Sequence, residues 1–589
     1  MLMPMNRPLL STSWIPLLAI IVISLFCCVL CVGVFIPAYI DDILYLMANA
    51  RAGYDGWQSI SVYPQCSADF AMAIPLTLLP GRAWLWVVHL LISDFYSLRL
   101  TTLFVFVFWV AYTAWFIKRC LFPAQAWPDI VAGVIGSVAI GTLPFALLLG
   151  RPETPMIFAV TFFTSIPFIV QAYPRLQWRV IAGVALVFFL IASWFLSLHA
   201  KALFYIPVLI VSALYLCRWH KAIGLLLTAI TAITCWQAVS YWHFRLACPD
   251  SAATRYTMDP GVALPSLFFE HNALFWEQFL TNLSHSDLYL LEIILPYGKR
   301  WLPDFMQLAD FGALPSWVFT AFIALHTCLW AIVTLFLVIT VLGLFFYMAT
   351  GLYTIVRDII ARHGRIRFDL LLPLCLLGAC VAQCGFQQAG KIFYNTSLVW
   401  VTLVLFCVAL AGYLSKYTDY WNTRARGIGK SCTFLMIAAA TSLFALLFTY
   451  VPATLLMLRG PGPDGLTQIM ENGRIHNRGG AIAEQGFGET RKHVLSAARL
   501  CHIPTDSSGR HLVVNHFTYF PLKDTYQPLL SLALFHEYKD PQKLFAFLRQ
   551  RQSAGIVTLC SSLPEKIRPI AKESDGVCCI SREQIDSGP

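Results

Sequence analysis

Apolar runs of about 20 residues recur along this chain from Trp14 nearly to Leu458, and each is long enough for one helical crossing of a hydrocarbon layer about 30 Å thick. Within lipid every backbone N–H and C=O must find its partner inside the segment, so such runs are dictated to be helices. Of the 589 residues, 58% are hydrophobic and only 12% charged, which excludes a single water-soluble core. A net charge of +10 would point to nucleic acid in a soluble protein. In a membrane protein the prior question is which side the cations occupy.

The sequence predicts an all-α polytopic membrane bundle of about eleven spans, near 14–36, 98–117, 129–149, 154–172, 180–198, 202–217, 222–241, 316–349, 369–387, 394–414 and 431–455, followed by a small α/β soluble C-terminal domain. The first run is read as an anchor because it is longer than a signal core and no small-x-small cleavage pattern follows it. The eighth is too long for a straight crossing and is expected to run on as a cytoplasmic helix. Residues 72–92 are read as an outer loop with interfacial helices, since Pro75, Pro80, Gly81 and Arg82 interrupt them; an extra hairpin is the alternative.

With the N-terminus inside, one set of loops carries Lys118, Arg119, Arg175, Arg179, Arg218, Lys221, Arg357 and the cations of 362–367 and 416–430, against only Asp358 and Asp419. The opposite loops hold an acidic excess, including Asp41, Asp42, Glu153, Glu270, Glu277 and Asp287. The positive-inside rule then sets the orientation, and an odd number of spans puts the C-terminus outside. The expected location is a bacterial inner membrane with the C-terminal domain in the periplasm.

Two outer loops are long, 37–97 and 242–315, and the transmembrane part is taken as 1–455. From 456 to 589 the composition changes: Gly460, Pro461, Gly462, Pro463 and Gly465 form a linker, and a helix-like stretch around Glu489–Leu500 precedes strand-like runs at His511–Asn515 and Ile556–Cys560. Neither GxGxxG nor GxxxxGK[ST] occurs. Six of the eighteen cysteines fall outside in this topology, Cys66, Cys248, Cys501, Cys560, Cys578 and Cys579, where disulfides such as Cys560 with Cys578 or Cys579 are allowed. Cys28 and Cys31 lie in an apolar helix and read as packing residues, and no His/Cys cluster has zinc spacing.

Polar residues at the outer helix ends carry the chemistry. Asp41 and Asp42 follow the first span, where charge beside lipid is costly unless used or solvated. Helix capping by Asp41 is the plain alternative. Gly150-Arg151-Pro152-Glu153 and His199-Ala200-Lys201 form very short outer turns, and Gln387, Gln388, Lys391 and Tyr394 lie before the tenth span. Singly each reads equally as snorkelling or a local ion pair; together they share one face. A carboxylate there can take an acceptor proton, and cations can stabilise a departing lipid phosphate. The loop 242–315 adds His271, Glu277, His285 and Asp287 among Phe268, Phe269, Phe275, Trp276 and Tyr289. That composition suits a sugar-binding surface but suits an interfacial helix better. Asn282-Leu283-Ser284 and Asn395-Thr396-Ser397 match the glycosylation sequon.

On these residues the chain resembles the C-type (GT-C) multi-pass membrane glycosyltransferase superfamily, in particular its protein O-mannosyltransferase, aminoarabinose transferase and arabinosyltransferase branches. The resemblance lies in the acidic pair Asp41-Asp42, Arg99-Leu100 entering the second span, Arg151 with Glu153, Lys201 before the sixth span, and Lys391 with Tyr394. It implies that Asp41 is the catalytic base, that Asp42 and Glu153 shape the acceptor or sugar site, and that Lys201 with His199 holds the donor phosphate. Ala202, where many relatives have Gly, and Asp42, where Glu is commoner, are departures that leave branch and sugar open. The implied activity is inverting transfer from a polyprenyl-phosphate-linked sugar donor to a glycan, lipid or protein acceptor among membrane lipids, without nucleic acid. No cofactor is fixed by the sequence; paired carboxylates can also bind a divalent cation. The rival readings are a transporter or flippase of a lipid-linked saccharide, whose ionisable groups belong nearer the midplane, an envelope polysaccharide polymerase or ligase, and a non-catalytic receptor whose tail domain binds a partner.

Overall fold

The structure, a computed structural model, describes residues 14–34, 46, 75–92, 95–141, 143–246, 263, 265–294, 316–361, 368–386, 396–417, 431–448, 466–471, 474–479, 482–504, 510–515, 518–523, 526–531, 534–535 and 538–588. The protein is an all-α polytopic bundle carrying a small C-terminal domain built on an open sheet. Among the described residues ten helices are long and apolar enough to cross a membrane.

In chain order the bundle comprises α1 (Ile15–Gly33), α2 (Leu79–Leu91), α3 (Phe95–Phe116), α4 (Trp127–Val138), α5 (Glu153–Ala172), α6 (Trp178–Leu198), α7 (Ile206–Tyr215), α8 (Lys221–Leu246), α9 (Pro265–Glu270), α10 (Asn272–Ile294), α11 (Ser316–Ala361), α12 (Leu371–Phe386) and α13 (Thr396–Tyr417), with α14 at Ser431–Phe448. Lipid tails are as apolar as Leu, so these helices are held by close packing and hydrogen bonds rather than by removal from water. The central member is α5, 72% of whose apolar window is enclosed, against 22% for the peripheral α11. Tyr112 of α3 meets Ser165 of α5 at 2.5 Å, and Trp109 Nε1 donates to Thr161 Oγ1 at 2.8 Å. Ser212 of α7 donates to the Phe163 carbonyl of α5 at 2.8 Å.

The third expected crossing, 129–149, differs in kind from a continuous span. Its helix α4 has 12 residues, about 18 Å, and then breaks before a single turn at Leu143–Ala146. Gly141 there has φ +60°, a left-handed conformation glycine adopts without penalty, and its N–H is taken by Ser442 Oγ of α14 at 2.9 Å. The chain still crosses, because a Cβ on Gly150 would lie 2.5 Å from the Leu98 side chain at the start of α3. The eighth expected span is one helix of 46 residues, about 69 Å, more than twice the hydrocarbon thickness.

The stretch read as an outer loop contains α2, and α2 packs into α6. A Cβ on Gly81 would stand 2.5 Å from the Ser193 carbonyl carbon and oxygen. Gly81 N–H donates to Ser193 Oγ at 3.0 Å. Thr77 Oγ1 donates to Gln237 of α8 at 2.6 Å, and Arg82 Nη2 donates to Tyr241 Oη at 2.7 Å.

The C-terminal domain contains an antiparallel hairpin, β1 (Leu466–Glu471) with β2 (Arg474–Gly479), then α15 (Ile482–Leu500), β3 (His511–Val514), β4 (Gln527–Leu530), α16 (Pro541–Gln550), β5 (Gly555–Leu559), β6 (Lys572–Ser574), β7 (Val577–Ser581) and α17 (Arg582–Ser587). The sheet order is β4-β3-β5-β7-β6, parallel across β4-β3-β5 and antiparallel beyond. Side chains alternate faces along a strand, and two cores follow. Leu512, Val514, Val557 and Cys579 lie with Val494, Ala497 and Ala498 of α15. Val513, Ile556, Cys578 and Ile580 lie with Leu544, Phe545 and Leu548 of α16. Adjacent Cys578 and Cys579 therefore point to opposite faces, and each forms its own disulfide, Cys560–Cys578 and Cys501–Cys579. The α15 core also includes Leu46, Ile92 and Leu98 of the membrane part, which seats the domain on the end of the bundle where α3 begins.

Candidate functional site

The same end of the bundle carries a buried charge cluster. Its first member is fixed by the turn Gly150-Arg151-Pro152. Gly150 has no room for a Cβ against Leu98, and Pro152, which lacks an N–H, is the N-cap of α5. Glu153 is thereby the first helical residue, where a carboxylate is favoured by the helix dipole. Thr154 Oγ1 donates to the Leu147 carbonyl at 2.8 Å and closes the turn.

The second member comes from 48 residues along. Lys201 lies in the 3-10 turn Ala200–Tyr205, and its Nζ reaches Glu153 Oε1 at 2.6 Å. Arg151 forms a two-point contact with the same carboxylate, Nε to Oε2 at 3.1 Å and Nη2 to Oε1 at 3.3 Å. The Arg151, Glu153 and Lys201 side chains are 9%, 3% and 7% exposed. Charge this deeply withdrawn from water is tolerated only when paired and hydrogen-bonded. Guanidinium and ammonium N–H groups held in place on one carboxylate are donors of the kind that suit an anionic oxygen.

His199 is the N-cap of the 3-10 turn: its Nδ1 accepts from Lys201 N–H at 3.1 Å. Accepting at Nδ1 leaves Nε2 as the proton-bearing nitrogen of the neutral ring. The ring stacks on Trp242 at 6.0 Å, and Trp242 Nε1 donates to the Leu196 carbonyl at 2.8 Å. Four residues beyond Lys201, Tyr205 Oη meets Thr402 Oγ1 of α13 at 2.6 Å and accepts from Gln383 Nε2 of α12 at 2.6 Å. These bonds tie the lysine-bearing turn to two further spans.

The structure thus brings Arg151, Glu153, His199 and Lys201 into one place. Asp41, Asp42, Lys391 and Tyr394 lie outside the described residues, as do Gln387 and Gln388. Arg99, fully buried, donates from Nη1 to the Leu148 carbonyl at 2.9 Å and so braces the loop leading to Arg151. Sequence reasoning missed Tyr205, Gln383 and Thr402, and the buried Arg82 with Tyr241. Their signal was an amide, hydroxyl or guanidinium inside an apolar run, which must find a partner to be stable there. The partner could not be read from one dimension. Asn282 of the first sequon is buried and donates to the Gly385 carbonyl at 3.1 Å, a structural use of that amide.

At the far end of α5, Asp369 is held by Tyr215 Oη and by Arg218 Nη2 at 2.9 Å. A shallow pocket beside it is lined by Pro167, Gln171, Tyr215 and Tyr413. Pro167 is about 20 Å of helix from Glu153, so this ion pair locks the opposite face rather than joining the triad. Among the described residues, the group of His, Cys or acidic side chains near enough to share a metal is Cys560, Glu573 and Cys578. Both of its sulfurs are spent in the disulfide, so no thiolate remains there to ligate.

Fold and site together define a polytopic membrane protein with a charged cluster buried at one end of its bundle, beneath an extramembrane domain. The chain is similar, at low identity, to several solved structures. The apo oligosaccharyltransferase of Archaeoglobus fulgidus is 11% identical at a TM-score of 0.39, covering 92% of this chain and 70% of that one. ArnT from Cupriavidus metallidurans, in a structure bound to undecaprenyl phosphate, is 10% identical at a TM-score of 0.38, covering 97% of this chain and 98% of that one. The Archaeoglobus fulgidus oligosaccharyltransferase AglB, in complex with an inhibitory peptide and a dolichol-phosphate, is 9% identical at a TM-score of 0.38 over 92% and 69%. No family model and no curated protein matches the chain.

Proposed function

We propose that this protein is an inverting membrane glycosyltransferase that moves a sugar from a polyprenyl-phosphate carrier to a hydroxyl acceptor at the Glu153 end of the bundle. The observation that carries the proposal is the Arg151–Glu153–Lys201 triad, built from two separate turns at helix ends and buried at a membrane boundary. A purely structural ion pair is weak evidence for stability, since apolar residues of similar volume hold such a position as well. Preorganised guanidinium and ammonium donors are what a departing lipid phosphate requires.

In the proposed step the acceptor oxygen attacks the anomeric carbon and the bond from that carbon to the phosphate oxygen breaks. The acceptor proton passes to the Asp41 carboxylate, and polyprenyl phosphate leaves with its charge met by Lys201 and Arg151. Glu153 holds both cations in place; Asp42 borders the sugar or acceptor. His199, through its bond to the Lys201 N–H, sets the turn that aims Lys201, and Lys391 with Tyr394 completes the donor side. Single displacement inverts the anomeric centre. The Glu153 end is assigned to the non-cytoplasmic side by the charge asymmetry of the loops. The pairing of Cys501, Cys560, Cys578 and Cys579 supports this, because disulfides persist in oxidising compartments.

The test is mass analysis of envelope glycans and lipid-linked sugars in cells carrying Asp41→Asn or Lys201→Met, beside wild type. Donor accumulation with loss of one decoration is expected in both. An unchanged glycan profile in both variants would overturn the proposal, and donor stranded on the cytoplasmic side would assign the protein to lipid-saccharide transport instead.

A further inference from the structure

The helix α10 belongs to a loop between spans, yet its contacts fix how it lies. Phe275 and Phe279 meet the Phe386 ring at 5.7 and 5.5 Å. Phe279 also fills the space where a Cβ of Gly385 would stand, Asn282 Nδ2 donates to the Gly385 carbonyl, and Ser286 lies beside the Cys384 thiol. From Phe275 to Ser286 is about 16 Å along α10, whereas Cys384 to Phe386 is about 3 Å along α12. Helices running side by side advance together; these do not. The α10 helix therefore crosses the end of α12 steeply, and since α12 spans the membrane, α10 lies near the plane of its surface.

The side of α12 that it crosses is known too. Leu374, Leu377 and Val381 are exposed, and with Gly378, where a Cβ would meet nothing within 4 Å, they make one stripe at helical spacing. In a membrane span such a stripe faces lipid. Gly385 is the next position along that stripe, and it is the residue that α10 covers. The outward surfaces of α10 are divided. Trp276 and Leu280, 45% and 56% exposed, form one flank, and Trp276 meets Phe268 of α9, whose ring in turn meets that of Phe269, 85% exposed. Glu277, Thr281, Ser284 and His285 are exposed on the other.

We infer that α9 and α10 form an interfacial anchor, with Phe269, Trp276 and Leu280 inserted at the headgroup–acyl boundary of the lipid leaflet at the Glu153 end. The partner is the bilayer itself, chosen because the apolar flank adjoins the lipid-facing stripe of α12, is rich in the aromatics that settle at membrane interfaces, and is backed by a flank that is polar except for Leu274. The buried edge of the anchor touches Phe386, which meets Phe204 of the lysine-bearing turn at 5.3 Å. The inference does not depend on the transferase reading.

It is tested on the full chain in lipid nanodiscs, with an environment-sensitive fluorescent amino acid placed by codon reassignment at Leu280 or at Thr281. Lipid brominated near the acyl carbonyls should quench position 280 about twofold or more over 281, as a shallowly inserted flank requires, and aqueous iodide should reverse that order. Equal iodide quenching at both positions, or protection of 280 from both quenchers because another part of the chain covers it, would overturn the inference. The same probe at the more exposed Phe269 repeats the measurement should the Leu280 label disturb the protein.

Discussion

At Glu153 one carboxylate serves two buried cations, and the consequences of removing it differ from those of removing a cation. Glu153→Gln leaves Arg151 and Lys201 charged, 9% and 7% exposed, and removes the carboxylate they share. Breaking a buried pair in this way costs about 3–5 kcal/mol, so the variant's melting temperature in detergent should fall by several degrees, on the order of 2–4 °C per kcal/mol. Lys201→Met removes a charge together with its need for a partner. Its stability should change less than that of Glu153→Gln, while transfer should fall by on the order of a hundredfold or more if Lys201 meets the leaving phosphate. Differential scanning fluorimetry beside a donor-turnover assay separates the two, and equal melting losses would argue against the charge accounting. Tyr205→Phe deletes a hydroxyl that touches both Gln383 and Thr402. With two partners left behind in the span, a loss of about 1–3 kcal/mol is expected, and Phe at 205 with Val at 402 should cost less than the sum of the single changes.

Elements in this protein meet where side chains are absent. The α2–α6 crossing depends on Gly81, because the atoms facing its missing Cβ are the Ser193 carbonyl group and the Trp194 Cα. Those are backbone and cannot rotate away. Gly81→Ala should therefore separate two helices and cost about 1–3 kcal/mol, and it should also weaken the Arg82–Tyr241 and Thr77–Gln237 bonds. At Gly150 the nearest atoms belong to the Leu98 side chain, which unlike backbone can shift, so the smaller melting change is expected there. Most elements were legible from hydropathy alone: the strand-like run at His511–Asn515 is β3, and the helix-like stretch at Glu489–Leu500 ends α15. Within the crossing at 129–149 hydropathy does not register the break at Gly141, whose N–H donates to Ser442 about 300 residues away.

For the whole molecule, the division of cysteines offers a test of compartment. Among the described residues twelve free thiols lie in the bundle, and the four cysteines of the C-terminal domain are all paired. By loop-closure entropy the Cys501–Cys579 link, closing 78 residues, is worth roughly 4 kcal/mol, and Cys560–Cys578, closing 18, roughly 3 kcal/mol. Cys501→Ser with Cys579→Ser should therefore destabilise the domain more than Cys560→Ser with Cys578→Ser. Protease sensitivity of the domain in intact membranes, with and without reductant, reads this directly; resistance unchanged by reductant would show that neither link supports the domain.

By itself the sequence determined what each segment must be. Long apolar runs leave a backbone no choice but helix in lipid, and charge at their ends assigns a side, both being local properties of composition. It also placed Arg151, Glu153, His199 and Lys201 in short turns at the outer helix ends. Only the tertiary structure decided that Glu153 and Lys201 form one ion pair at 2.6 Å, that Gln383 and Thr402 steady the turn carrying that lysine, and that α10 lies across α12. Those outcomes depend on which helices are neighbours. Between lipid-solvated helices that choice rests on close-fitting glycines and matched polar groups rather than on hydrophobicity, and such complementarity exists only in three dimensions.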